Sequence, residues 1–331
     1  MHIGPMAIWP PVQLAAIAGY SDAAMRTLCR SFGAPYAVAE MILDAPVLIS
    51  KTIRKHMRLW ENDHPIAAQI TCSTLETSAL AAQALVDMGY QAVELNMACP
   101  VKKLLNRGRG GALLNEPARA LEHLETIRRA IPLEVPVSLK MRIGWDDTPE
   151  SQNAFYRILD GAIQLGVAAV TVHGRTVVQK YRGAADWDAL ARVRQFVGNS
   201  ICLIGSGDVV QVQDVLRMLD HTGVNGVSIA RGAIGKPWIF RQVRDVMEGR
   251  PPVTPDYVEQ GKIIRRHFDL AMQLYKDERF VGRHLRKFGI YYSKYHPHAK
   301  QVRLAFLAVR NNAEWNAVID EWYGKDRQLS S

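Results

Sequence analysis

Cysteine is scarce and scattered in this sequence: Cys29, Cys72, Cys99 and Cys202 are the only four, and no two form a CxxC or comparable pair. That spacing argues against a zinc or iron–sulfur site and against a disulfide framework, so no metal is expected. Isolated thiols suit a reducing compartment. The N-terminus lacks a charged-then-apolar leader, and no stretch approaches the length of a membrane span. The apolar start from Ile3 to Ile17 is interrupted by Pro5, Pro10 and Pro11 and reads as a strand leading into the fold. A soluble, cytoplasmic protein is expected, with no membrane association and no obligate protein partner. Also missing is a glycine signature after the first strand, which disfavours a doubly wound open sheet.

What is present is a chain of 331 residues, 48% hydrophobic, enough for one large core and a second, smaller unit. Eight short apolar or β-branched runs recur: 12–17, 36–40, 66–70, 92–97, 135–141, 168–172, 201–204 and 226–230. Amphipathic segments such as Glu76 to Met88, Glu116 to Ala130, Gln152 to Leu165 and Val209 to Leu219 lie between them. Eight strands alternating with helices predict an α/β fold, a (β/α)8 TIM barrel, over residues 1–250. The proline cluster Arg250 to Pro255 reads as a linker, with Thr254 or Pro255 opening a helix. Residues 251–331 show only helical periodicity, over 258–275, 281–292, 299–310 and 315–322, and predict a C-terminal helical bundle domain.

The formal charge is +9, and the last 81 residues carry 14 Lys/Arg against 9 Asp/Glu, about +5 of it. Within that segment Arg283, His284, Arg286, Lys287, Tyr291, Tyr292, Lys294, Tyr295, His296 and His298 interleave cations with aromatics. Phosphates need charge and unstacked bases need flat partners, so RNA is the expected ligand. The plainer alternative is a solvated helix face with Phe288 and Tyr292 packed inward.

Chemistry concentrates at the ends of the runs. Asn96-Met97-Ala98-Cys99-Pro100 follows the fourth and leads into a basic, glycine-rich loop, Lys102-Lys103 to Gly110-Gly111. Barrel enzymes carry their catalytic side chains there. A cysteine so placed is a nucleophile, a ligand or a proton donor. Gln69 interrupts the third run, Lys140 and Arg142 point the same way from the fifth, and His173 ends the sixth. A buried lysine is costly without an anion or acceptor. Gly205-Ser206-Gly207-Asp208 and Ala230-Arg231-Gly232-Ala233 follow the seventh and eighth runs, each before a helix, the usual barrel phosphate site. A phosphate-anchored ring with Gln69, Lys140 and His173 around it fits flavin mononucleotide (FMN).

These strings resemble the motifs of the tRNA dihydrouridine synthases. The resemblance is carried by Glu94 to Lys103 followed by Gly110-Gly111-Ala112-Leu113-Leu114, by Lys140 to Gly144, and by His173-Gly174-Arg175-Thr176. Tyr181 to Trp187, Gly205 to Asp208 and Ala18 to Asp22 are similar to further motifs of that family. The likeness runs from about Leu14 to Trp238 and, more loosely, through Arg283 to Arg303. It implies an FMN barrel, a helical tRNA-binding domain and reduction of a tRNA uridine, expected in the D-loop, to 5,6-dihydrouridine. NADPH (or NADH) is the implied reductant.

In that frame Cys99 is the general acid, since a thiol of ordinary pKa is protonated at neutral pH and still able to donate. Gln69, Lys140 and His173 are implied flavin contacts, with Ala16 at the wall of the ring. Gly205, Ser206, Gly207, Asp208, Ala230, Arg231 and Gly232 are expected around the phosphate, Asp208 orienting its loop. Asn96 and Arg142 are the expected readers of the uracil edge. Lys102, Lys103, Arg107, Arg283, Arg286 and Lys287 are expected to grip RNA. Three positions depart from the family pattern: Ala16-Ile17 stand for Pro-Met, Ala98 for glycine and Ser206 for asparagine. None removes a reacting group. The alternatives are an FMN reductase or dehydrogenase of a small enone or dihydroorotate-like acid, and a non-catalytic RNA-binding protein on a flavin-barrel scaffold.

Overall fold

The computed structural model describes residues 1–324. The last seven positions of the expected C-terminal domain, 325–331, lie outside the described residues. Eight parallel strands close a barrel: β1 (Val12–Leu14), β2 (Ala37–Val38), β3 (Ile66–Thr71), β4 (Ala92–Met97), β5 (Val137–Arg142), β6 (Ala169–His173), β7 (Cys202–Ser206) and β8 (Gly226–Ile229). Each pairs with the next, and β8 pairs with β1 through Val227 opposite Val12. The second strand is split, a separate piece, Ile42–Leu43, also pairing with β3. All eight apolar runs of the sequence are strands, because a parallel barrel strand is covered on both faces and reads as a continuous apolar run.

The first ten residues behave otherwise than the sequence suggests. His2–Ile3 and Met6–Ala7 form a small antiparallel hairpin rather than a strand leading into the sheet, the chain turning through Gly4 at φ +55°. Ile3 and Ile8 of this hairpin region pack with Tyr36, Val38, Ala67, Ala92, Ala169 and Ile204. The small alanines on β3, β4 and β6 leave room for those side chains, so the barrel interior is apolar at this end.

Towards the other end the interior is polar. Gln13 Nε2 donates to Thr171 Oγ1 at 3.2 Å and to Ser228 Oγ at 3.1 Å. Strands β1 and β6 are not neighbours, so this contact runs through the barrel. Residues level with one another on paired strands share a face. Register sets Lys140 and Asn96 level with Thr171, and sets Gln69, Glu94 and Ser138 one step below. Arg142, His173, Ser206 and Ser228 form the step above. All therefore face the interior, and their carboxyl-ward position is where barrel enzymes place their chemistry.

Contact density divides the chain into two compact units, Met1–Ser21 with Pro35–Ala230, and Asp22–Ala34 with the chain from Arg231 on. A cut at residue 250 does not coincide with that division. The reason lies in packing: the helix Ala23–Ser31 lies against Tyr257–Tyr275. Asp22 caps that first helix by accepting Met25 N–H at 2.9 Å, and its other oxygen accepts from Tyr275 Oη at 2.9 Å and His284 Nε2 at 3.2 Å. Burial works against ionisation of Asp22, but the bonds from His284 and from the Met25 N–H hold its pKa below the usual value.

The helices of the second unit, Tyr257–Tyr275, Glu278–Tyr292, Ala299–Ala308 and Asn312–Tyr323, follow the periodicity of the sequence. Asp256, not Thr254 or Pro255, caps the first, its carboxylate accepting Glu259 N–H at 2.8 Å. Phe268, Phe288, Tyr292, Phe306 and Trp315 are buried among them. Tyr292 and His296, read above as candidate stacking partners, are thus core residues. Tyr291 is half-buried, with Lys294 Nζ 4.4 Å from its ring centre.

Candidate active site

Cys99 sits just beyond β4 on a loop fixed from three directions. Asn96 Oδ1 accepts the N–H of Ala98 and of Cys99, both at 3.0 Å. Gly111 N–H donates to the Cys99 carbonyl at 3.1 Å. A side chain at Gly110 would lie 3.2 Å from Cys99 Cβ, and one at Gly111 would meet Val177 Cγ2 at 2.8 Å. The two glycines of the loop are there because the chain returns against its own cysteine. Arg142 supplies the third restraint: Nε donates to the Ala98 carbonyl at 2.8 Å, and Nη1 to those of Thr176 (2.9 Å) and Lys180 (2.8 Å).

The thiol is half-buried. Burial raises its pKa, partly offset by a backbone bond from Val101 and by the Arg142 charge. The group is therefore protonated at neutral pH. Lys140 stands level with Asn96 on the neighbouring strand; burial pulls its pKa down, while the nearby Glu94 carboxylate works the other way. Gln69 donates through Nε2 to Glu94 Oε1 at 2.5 Å and accepts from Asn96 Nδ2 at 2.6 Å.

Asn96 and Arg142 thus spend both amide groups and two of three guanidinium nitrogens on the protein itself. The sequence placed them in the site but could not show that work, because it depends on which backbone atoms the loops bring within reach. Glu94 was missed as a participant; its signal was a charged residue inside an apolar strand run.

His173 ends β6 level with Ser206. Gly207 has φ +124°, and a side chain there would come 2.6 Å from Ala185 Cβ and 3.6 Å from His173 Cε1. The close approach to Ala185, together with the positive φ, is what requires glycine at this spot. Gly207→Ala is expected to cost about 1–3 kcal/mol from backbone strain alone, seen as a lowered thermal midpoint; an unchanged midpoint would show that the loop can reshape freely. Gly205 points outward, where a Cβ would meet Met218 Sδ at 2.7 Å. Its side-chain position faces the helix Val212–Thr222, not the interior. Asp208 accepts from Arg175 Nη2 at 2.6 Å and Ala185 N–H at 2.8 Å, tying the β7 loop to the β6 loop.

Lys102, Lys103 and Arg107 are exposed on the short helix and turn that follow Cys99. In the second unit Arg231 is exposed and opens a 3-10 turn with the buried Gly232. Arg283 is exposed there, and Arg286 and Lys287 are half-buried. Ala16, just after β1, is half-buried against the apolar cluster. Ala230, after β8, is half-buried too. Among the described residues no three His, Cys, Asp or Glu side chains are grouped to hold a metal ion, and no helix is long and apolar enough to cross a membrane.

Comparison with known proteins agrees with this arrangement. In solved structures, the histamine dehydrogenase of Rhizobium sp. 4-9 superposes with a TM-score of 0.59 at 14% identity, over 82% of this chain and half of that one; the likeness is one of fold. tRNA-dihydrouridine synthase B of Pseudomonas putida is 32% identical over 99% of this chain and 96% of its own length. The protein of the same name from Xanthomonas campestris pv. campestris is 35% identical over 95% and 92%. The family model for dihydrouridine synthase (Dus) matches residues 13–324, spanning the barrel, the Cys99 loop and the helical unit. With the match running through every element that carries the site, the chain belongs to the dihydrouridine synthase family.

Proposed function

We propose that this protein is a cytoplasmic tRNA-dihydrouridine synthase, a flavin-dependent oxidoreductase that reduces the C5–C6 double bond of a uridine in tRNA. The observation that carries the reading is a half-buried thiol on a loop held by Asn96, Gly111 and Arg142 at the polar, carboxyl-ward end of the barrel, whose strands also carry Gln69, Lys140 and His173. FMN, re-reduced by NADPH (or NADH), supplies the hydride for C6 of the uracil ring.

The donor set suits that cofactor. The Lys140 ammonium would favour an anionic ring, and the second N–H of the Gln69 amide, whose oxygen and first N–H are engaged by Asn96 and Glu94, would offer a polar contact beside it. The bare backbone of Gly207 lets the β7 loop close on Ala185 next to the His173 imidazole, and the ribityl-phosphate side is assigned to this junction. Ser206, Gly207 and Asp208 supply backbone for the phosphate, while the Asp208 carboxylate is turned away onto Arg175. Gly205 contributes close strand–helix packing.

The chain's own chemistry is then proton delivery. Cys99 gives its proton to C5, and burial keeps the thiol charged with it until the ring arrives. Asn96 and Arg142 hold the loop that aims the thiol, and the remaining Arg142 nitrogen is available to the uracil edge. The uridine must leave its stack to reach the barrel. Lys102, Lys103 and Arg107 in the barrel unit, and Arg283, Arg286 and Lys287 in the helical unit, are assigned to the RNA backbone.

The test is dihydrouridine content, mapped by position, in tRNA from a strain lacking this protein and complemented with wild type or Cys99→Ala. Loss at a defined position, restored by wild type alone, is the expected result. If no position changes while the purified protein is yellow with flavin, the substrate is a small molecule and the synthase reading fails.

A further inference from the structure

Glu94 is a buried carboxylate that the proposed reaction does not use. It is 2% exposed, on β4, level with Gln69 on one side and Ser138 on the other. Its Oε1 accepts from Gln69 Nε2 at 2.5 Å. Gln69 Oε1 accepts from Asn96 Nδ2 at 2.6 Å, and Asn96 Oδ1 accepts the N–H groups of Ala98 and Cys99. Three side chains therefore link the barrel interior to the loop that carries the thiol.

The direction of every bond in that chain is dictated by its ends. Backbone N–H groups only donate, so Asn96 must turn its oxygen to the loop and its NH2 to Gln69. Gln69 must then offer oxygen to Asn96 and NH2 to residue 94. Only an acceptor satisfies that last position, and an ionised carboxylate is acceptor-only. With no acceptor there, the Gln69 amide is free to turn over, two NH2 groups face each other, and the hold on Asn96 fails.

We propose that Glu94 is a positioning residue for the Cys99 loop, its side-chain oxygen terminating a one-way chain of amides through Gln69 and Asn96. The role of the thiol itself rests on the synthase reading; the chain of amides does not.

The test compares full-length wild type, Glu94→Gln and Glu94→Leu by the rate at which iodoacetamide alkylates Cys99, resolved by peptide mass spectrometry from the other three cysteines. Glutamine retains an oxygen that can accept from Gln69, so Glu94→Gln is expected to react within about twofold of wild type. Leucine leaves the Gln69 NH2 buried and unpaired, and the freed loop is expected to expose the thiol about tenfold more. Wild-type reactivity in Glu94→Leu would overturn the proposal. So would equal acceleration in both variants, which would mean that charge rather than the acceptor matters. If Glu94→Leu shows no cooperative melt, Gln69→Leu cuts the same chain one link further on and is judged by the same criterion. Alkylation needs neither tRNA nor turnover. A wild-type protein without synthase activity would therefore sink the reading of function while leaving this result to stand or fall alone.

Discussion

Cys99→Ala is expected to slow dihydrouridine formation by about 10²–10⁴-fold, the usual contribution of a positioned general acid, while flavin binding and tRNA binding stay close to wild type. The thiol projects from a loop whose backbone is held by Asn96, Arg142 and Gly111, none of which bonds its sulfur. Removing the sulfur should therefore leave the loop in place. Serine is expected to rescue poorly, because an alcohol gives up its proton far less readily than a thiol. The measurement is a single turnover: pre-reduced enzyme mixed with unmodified tRNA, with flavin reoxidation followed by absorbance. A Cys99→Ala rate within tenfold of wild type would mean that the proton comes from another group or from water.

Affinity for tRNA is expected to collapse as salt is added. Six assigned cations, Lys102, Lys103, Arg107, Arg283, Arg286 and Lys287, engaging about six phosphates predict roughly a 10³-fold loss between about 50 and 200 mM salt. Replacing Lys102, Lys103 and Arg107 together by alanine should lower the slope of log affinity against log salt by about 2 to 3, since each lost phosphate contact removes somewhat less than one unit. All three are exposed and outside the barrel core, so the fold should be unaffected. Filter binding across a salt series reads both numbers. An unchanged slope in the triple variant would move the RNA contact away from the Cys99 side of the barrel unit.

The eight strands were legible because each is an apolar run covered on both faces, a pattern that needs no knowledge of partners. The helices after Pro255 were legible for the same reason at helical spacing. The short N-terminal hairpin was not. The turn at Gly4 and the hairpin around it carry a pattern indistinguishable from a broken strand, and only packing against Tyr36, Ala67 and Ala92 explains them. At the site, residue types showed where chemistry would gather, and the side chains of Gln69, Asn96, Cys99, Lys140 and Arg142 do converge around β3 to β5. Which atoms each would engage was hidden. Arg142 reads as a free cation in sequence, yet it bonds carbonyls 44, 34 and 38 positions away. Such partners are set by loop closure, a property of the whole fold. In the basic segment the plainer alternative holds for two aromatics: Phe288 and Tyr292 are four apart and share one helix face, and that face is buried.

The helix Ala23–Ser31 is translated more than two hundred residues before Tyr257–Tyr275, the helix against which it rests. The helical unit is therefore not a contiguous cassette. A fragment that ends at the proline cluster releases an amphipathic helix with its apolar side uncovered, and a fragment that begins there lacks the Asp22 carboxylate to which Tyr275 and His284 bond. Dissection by truncation would yield two defective pieces. On the ribosome, too, an early part of the chain must wait for the end of synthesis before it finds its place.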